Sequence, residues 1–273
     1  RIKQNTKRND RLGNDIKNIH YISLPTYLFE KQILWIANSE AVNEHYEKGP
    51  VVKDHPLVHQ NQSDMNEFKY TSIFNGEEPF LKDHKVQETP TLPGVAYIEM
   101  ARQAMKDSSK TEQSITLKNI VWSQPISVEK DPVEVNIVLY PEESDSNNII
   151  NCEIYIETNE EEIVHSQITG IIEQEREKIT ESINLEEIKT RCKQRTIKKE
   201  EIYKVFDAMG LNYGPSYQGI EEVHIGNEES IANIILPTHI RDTLSDYGLH
   251  PSILDSALQS AGICALPLHI KTA

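Results

Sequence analysis

Two helix-forming runs, each opened by a proline and set among strand-like runs, constrain the fold of this chain most. Pro93-Gly94 precedes Val95–Met105, where Val95, Ile98, Ala101 and Met105 recur at helical spacing and make one buried face. Pro251 suits the first turn of a second helix, to about Ala261, with Ile253, Ala257, Leu258 and Ala261 on its apolar face. Before the first helix, Phe68, Tyr70, Ser72 and Phe74 have the period of two that argues for a strand, and Gly76 with Pro79 marks a turn. After it, Val133, Val135, Ile137 and Leu139 alternate, as do Ile150, Cys152, Ile154 and Ile156. A polar stretch from Pro141 joins these two runs as a hairpin loop, and a third run covers Ile163 to Ile172. A short helix from Glu201 stops at Gly210, and strands are predicted at Gly219–Ile225 and Ile231–Leu236 before the second long helix. One long helix against one antiparallel sheet, occurring twice, is an α+β layout. The first helix is followed by several strands and the second only by residues 262–273, so the second half is expected to be incomplete.

The remaining stretches read as connections. Residues 1 to about 19 are rich in Lys, Arg, Asn and Asp, as in a linker, and His20–Trp35 is apolar but broken by Pro25, as in a strap across a neighbouring surface. Residues 173 to about 201 form a charged connector with helical content. The 273 residues allow one large domain or two small ones with a real core. No run approaches the roughly 18 apolar residues of a membrane helix, and the basic, polar N-terminal stretch lacks the apolar core of a secretory signal. A formal charge of −15 repels phosphate backbones, which argues against nucleic acid as a partner. Cys152, Cys192 and Cys264 are odd in number and far apart, so neither a disulfide framework nor a zinc site is expected and a cytoplasmic location fits.

Three constellations carry possible chemistry. His84 lies ten residues before Gly94, where the free N–H groups at a helix start can receive a developing oxyanion and a neutral imidazole nearby can take a proton. Alone, this pattern also fits a surface histidine before an ordinary turn. Asp255 and Gln259 are four apart and share a helix face within an apolar segment. Burial there would raise the carboxyl pKa and leave a general acid, which Gln259 could orient. The alternative is a capping Asp and a solvated Gln. Tyr213-Gly214-Pro215-Ser216-Tyr217 is a fixed turn between two tyrosines, either an aromatic-capped loop or a pocket wall from which Tyr213 can donate a hydrogen bond.

In this order, the three resemble the dehydratase domains of modular polyketide synthases, of the bacterial trans-acyltransferase type. Those domains carry a His-x-x-x-Gly-x-x-x-x-Pro motif, a Tyr-Gly-Pro-x-Phe motif and an Asp-x-x-x-Gln/His motif, which His84–Pro93, Tyr213–Tyr217 and Asp255–Gln259 resemble. His55-Pro56-Leu57, Leu92-Pro93-Gly94 and His250-Pro251 also look like the family, and Ser23–Phe29 with Trp35 looks like the tail of a linker that follows a ketosynthase. Two positions depart from the pattern. Glu88 stands where the family has glycine, a strained choice if that position needs φ > 0. Tyr217 replaces Phe. Pro93 and Asp255 are kept, whereas relatives that shift double bonds tend to lose one or both.

The resemblance implies a double hotdog, two helix-in-sheet halves side by side: a linker over residues 1–48, the first hotdog over 49–175, a connector over 176–200 and the second hotdog over 201–273. It implies that His84 acts as base and Asp255 as acid in removing water from a β-hydroxyacyl thioester. Gly94, Pro93, Tyr213, Gly214, Pro215, Tyr217, Gln259 and His250 would support them or contact the substrate. The thioester would arrive on the phosphopantetheine of an acyl carrier protein, with no metal and no bound cofactor. Ketosynthase and ketoreductase domains would be neighbours, and two copies would pair as a homodimer. The rivals are double-bond migration or cyclisation on the same fold, and an inactive scaffolding domain. A stand-alone thioester hydrolase does not account for the linker or the Asp255–Gln259 helix.

Overall fold

The structure, a computed structural model, describes residues 55–265 apart from 112, 143–147, 159–160, 174–181 and 228. All belong to the unit that begins at Pro50. The expected linker, with His20–Trp35, lies outside the described residues.

The first half begins with strands β1 (Gln60–Asn61) and β2 (Phe68–Phe74) and a single helical turn, α1 (Pro79–Lys82). A small hairpin of β3 (His84–Val86) and β4 (Thr89–Pro90) leads into the long helix α2 (Gly94–Ser109). Strands β5 (Ile115–Trp122), β6 (Val133–Pro141), β7 (Ile149–Glu157) and β8 (Glu162–Ile172) follow. The order β1-β2-β6-β7-β8-β5 makes one antiparallel six-stranded sheet. Against it α2 lays Met100, Ala101, Ala104 and Met105, which bury completely with Phe74, Val135, Ile137 and Ile154. Each large apolar side chain so buried contributes about 1.5–3 kcal/mol. The helix runs one residue earlier and four later than its apolar spacing predicts. Strand β5 was not foreseen, because its pairing with β8 shifts register between Lys118 and Val121 where Asn119 takes φ 52, and the bulge breaks the period of two.

The second half begins with α3 (Leu185–Arg191), capped by the Asn184 side chain, which accepts from the Glu186 and Glu187 amides. Then come β9 (Arg195–Lys198), α4 (Lys199–Ala208), β10 (Leu211–Tyr213), β11 (Ile220–Ile225), β12 (Ser230–Ile234) and α5 (Pro251–Ala265). Two 3₁₀ segments lie between them, Pro215–Tyr217 and Thr238–Asp246. The sheet β12-β11-β9 packs Ile197, Ile220 and Val223 against Ile202 and Phe206 of α4 and Ile263 of α5. Strand β9 falls inside the stretch expected to be a connector. Ile197 is its one buried residue, too little alternation to read. Among the described residues, the second sheet has three strands where the first has six.

The halves meet through a strand pair and a helix pair, among other contacts. Strand β10 pairs with β3, placing Tyr213 opposite His84, and helices α2 and α5 pack on each other. Two helix-on-sheet halves joined side by side form the expected double hotdog.

Candidate active site

His84 opens β3 and is buried, not the surface histidine that its sequence context also allowed. Its Nδ1 lies 2.7 Å from the Thr91 carbonyl oxygen, and the Thr91 amide donates back to the His84 carbonyl at 3.0 Å. A carbonyl only accepts, so Nδ1 carries the proton and the neutral ring presents its lone pair on Nε2. The edges of Tyr213 and Tyr217 flank the ring, at centroid distances of 5.5 and 5.3 Å. The β3–β4 hairpin that holds His84 turns through Gln87 (φ 50) and Glu88 (φ 67). Two consecutive left-handed residues are the signature of a type I′ turn, which favours glycine at the second. Glu88 therefore occupies a position that does need positive φ. Its side chain is exposed at the hairpin tip.

Two residues beyond Thr91, Pro93 (φ −62) opens α2 with no side-chain cap. The Gly94 and Val95 amides have no hydrogen-bond partner among the described residues; Ala96 N bonds Pro93 O at 2.9 Å. An uncapped helix start of this kind offers donors and a positive dipole end. Trp122, at the end of β5, donates its indole N–H to the Gly94 carbonyl at 2.9 Å, a neighbour the sequence did not suggest.

Asp255 and Gln259 project from α5 and are buried, which removes the reading of a capping Asp and a solvated Gln. Gln259 Nε2 donates to Asp255 Oδ2 at 2.7 Å and to the Tyr217 carbonyl at 3.1 Å. Its Oε1 lies 3.2 Å from the Tyr203 hydroxyl, which accepts from the Ile220 amide at 3.1 Å. Tyr203 thus fixes the amide that orients Asp255. Burial raises the Asp255 pKa, while His84, when it carries a proton, and the Gln259 hydrogen bond oppose the rise; the net direction is upward. Tyr217 links the two residues, its ring packed against the His84 ring and its carbonyl accepting from the Gln259 amide that holds Asp255.

The Tyr213–Tyr217 loop joins the two groups. Gly214 N donates to the Asp83 carbonyl at 2.7 Å and Ser216 N to Asp83 Oδ2 at 2.9 Å. A Cβ on Gly214 would sit 2.4 Å from Asp83 Oδ1, so the motif needs glycine there for close approach. Pro215 starts the 3₁₀ turn that lays the Tyr217 ring on His84 and its carbonyl on Gln259. Asp83, beside His84 in the chain, was missed because its partners lie more than a hundred residues away. His250, expected to support the pair or contact the substrate, stands just before α5. Its Nδ1 accepts from Ser252 N at 3.2 Å and its Nε2 donates to Thr243 Oγ1 at 3.0 Å, so both ring nitrogens are engaged in holding the start of α5. A cavity of about 840 Å³ has Tyr217, Arg102, Tyr247 and His250 among its walls, but neither His84 nor Asp255. Among the described residues, no three His, Cys, Asp or Glu side chains converge as metal ligands, and no helix is long and apolar enough to cross a membrane.

Residues 55–157 match a family model described as the polyketide synthase dehydratase domain, and residues 181–271 one described as the polyketide synthase dehydratase N-terminal domain. Over 248 residues the chain is 40% identical to the polyketide synthase PksM of Bacillus subtilis, covering 88% of this chain and 6% of PksM. The chain is thus a small part of the length of that curated relative. A crystal structure of a trans-AT PKS dehydratase domain from Brevibacillus brevis superposes with a TM-score of 0.72 at 40% identity, covering 77% of this chain and 78% of that one. The CurK dehydratase, of the curacin polyketide synthase, superposes with a TM-score of 0.67 at 25% and 26% identity in two structures, each covering 76% of this chain and 73% of that one. Both are described as inactive mutants, one with an Asp replaced by Asn and the other with a His replaced by Phe. With both halves matched and the double hotdog in place, the chain belongs to the dehydratase-domain family of polyketide synthases.

Proposed function

We propose that the domain removes water from a β-hydroxyacyl thioester held on the phosphopantetheine arm of an acyl carrier protein, with His84 as base and Asp255 as acid. The observation that carries this reading is the pairing of unlike groups in one buried cluster. His84 presents a bare Nε2, while Asp255 is held toward its protonated form. His84 Nε2 takes the α-proton, and the electron pair is shared with the thioester oxygen, which the Gly94 amide at the start of α2 receives. As the double bond forms, the β C–O bond breaks and Asp255 gives its proton to the departing hydroxyl, which leaves as water. The imidazolium and carboxylate that remain are restored by proton transfer from His84 to Asp255. Every proton is handled by these two side chains, so the scheme calls for no metal and no bound cofactor. The inactive Asp and His variants of CurK support the assignment. Retention of Pro93 and Asp255 supports dehydration over double-bond migration. Neighbouring ketosynthase and ketoreductase domains and pairing of two copies complete the proposed setting.

The test is incubation with a β-hydroxyacyl carrier protein, followed by intact-mass measurement. Loss of one water is the expected result. An acyl group that cyclises or isomerises without losing water would contradict the assignment.

A further inference from the structure

Glu99 has no part in the chemistry above, yet it is fully buried, and five donors converge on it. It lies on α2, five residues after Gly94. Arg102 grips it through Nε at 2.6 Å and Nη2 at 2.9 Å. His55 Nε2 lies 3.2 Å from Oε1; the His55 Nδ1 accepts from Leu57 N, so Nε2 carries the proton and donates. The last two donors come from the other half: Gly248 N at 2.7 Å to Oε1 and Leu249 N at 2.9 Å to Oε2. Those residues immediately precede His250-Pro251, where α5 begins, and Asp255 follows within about one and a half turns.

We infer that Glu99 is a positioning residue: its buried carboxylate ties the start of the Asp255 helix to the helix that begins at Gly94 and so sets the separation of acid, base and oxyanion donor. This rests on the dehydration reading for its consequence in turnover, but not for its consequence in geometry. A buried ion pair kept only for stability would be satisfied by Arg102 and His55. It does not account for two consecutive backbone amides from the opposite half. The loop is also packed tightly at this point, since a Cβ on Gly248 would lie 2.3 Å from Arg102 Cζ. Tyr247, next in the same loop, places its ring edge-on between His55 (5.5 Å) and His250 (4.9 Å), so the loop is held on both sides of the amides. A helix moves as a rigid element, and a misplacement of about 1 Å at a catalytic group can cost on the order of 100-fold in rate.

Two substitutions test the inference. Glu99→Gln keeps the shape but removes the charge that collects the five donors. Gly248→Ala keeps the charge on Glu99 and the two loop amides, and sets a methyl against the Arg102 guanidinium so that the loop and Arg102 must move apart; it covers the case in which the first variant fails to fold. With the racemic β-hydroxyhexanoyl thioester of N-acetylcysteamine as probe, each is expected to lower kcat at least tenfold with KM within twofold. Crystal structures are expected to show a changed His84–Asp255 separation. A lowered melting temperature with kcat within twofold and an unchanged separation would overturn the inference. If the unaltered domain releases no water from this probe or from a carrier-bound substrate, the dehydration reading fails instead, and the measured separation still decides whether Glu99 sets the geometry.

Discussion

Glu99 and Asp255 are both buried carboxylates on helices that pack together, yet their surroundings push them in opposite directions. Burial disfavours the charge on each. Around Glu99, hydrogen bonds from Arg102 and His55, the Arg102 charge and the Gly248 amide outweigh that penalty and hold the pKa down to about 2. Around Asp255, the neutral Gln259 is the hydrogen-bond donor, His84 opposes burial only when it is protonated, and burial prevails. Donor supply, not depth, separates a carboxylate that must stay charged from one that can carry a proton to a leaving group. The difference also assigns roles: a many-handed anion suits a joint between halves, and a sparsely held acid suits chemistry.

The comparison can be broken first at the chemistry. His84→Ala and Asp255→Asn are each expected to slow water loss by about 100- to 10,000-fold, measured as single-turnover rates on a carrier-bound substrate. The rate of the unaltered domain should also fall on the alkaline side as Asp255 loses its proton, at a pH above the ordinary carboxylate range.

Next is stability, where the two carboxylates should give opposite signs in urea unfolding. Glu99→Gln leaves donors and a guanidinium unmatched and is expected to cost about 3 kcal/mol at neutral pH. Because the folded pKa of Glu99 is depressed, its contribution is present above the usual glutamate range and is lost as pH falls toward about 2, so the gap between variant and parent should close in acid. Asp255 has a raised folded pKa, so the parent loses stability as pH rises through it. Asp255→Asn should therefore be more stable than the parent at neutral pH and lose that advantage in acid. Equal signs for the two variants would erase the distinction.

A smaller effect is expected at Tyr203. Tyr203→Phe removes the hydroxyl that fixes Gln259 and should lower kcat by about two- to tenfold, the equivalent of one ordinary hydrogen bond. The smallest concerns a residue outside the pair. Glu88→Gly relieves a left-handed residue in the β3–β4 turn and should raise stability by about 1 kcal/mol, with the dehydration rate within twofold because the side chain is exposed. A large change in rate would mean that Glu88 reaches the substrate.

Much of this site is legible before any coordinates. His84, Pro93, Gly94, Asp255 and Gln259 stand out through spacing and helix starts, because local periodicity is written in neighbouring residues. The two long helices and the paired β6 and β7 were readable for the same reason. Strand β5 was not, since its bulge at Asn119 interrupts the alternation. Tyr203, Asp83, Trp122 and Glu99 were missed for a different cause. The partners that give them their place at the site lie between 28 and 150 positions away, within one half for Trp122 and Tyr203 and across the two halves for Asp83 and Glu99. His250 was marked by its place beside Pro251, but its hydrogen bonds to Ser252 and Thr243 at the helix start were not readable from that.

The most direct test of the account is intact-mass analysis of a β-hydroxyacyl carrier protein incubated with the unaltered domain, with His84→Ala and with Asp255→Asn. The account predicts loss of one water with the unaltered domain and full retention of the hydroxyl, over the same interval, with both variants. Equal water loss in all three samples would contradict it.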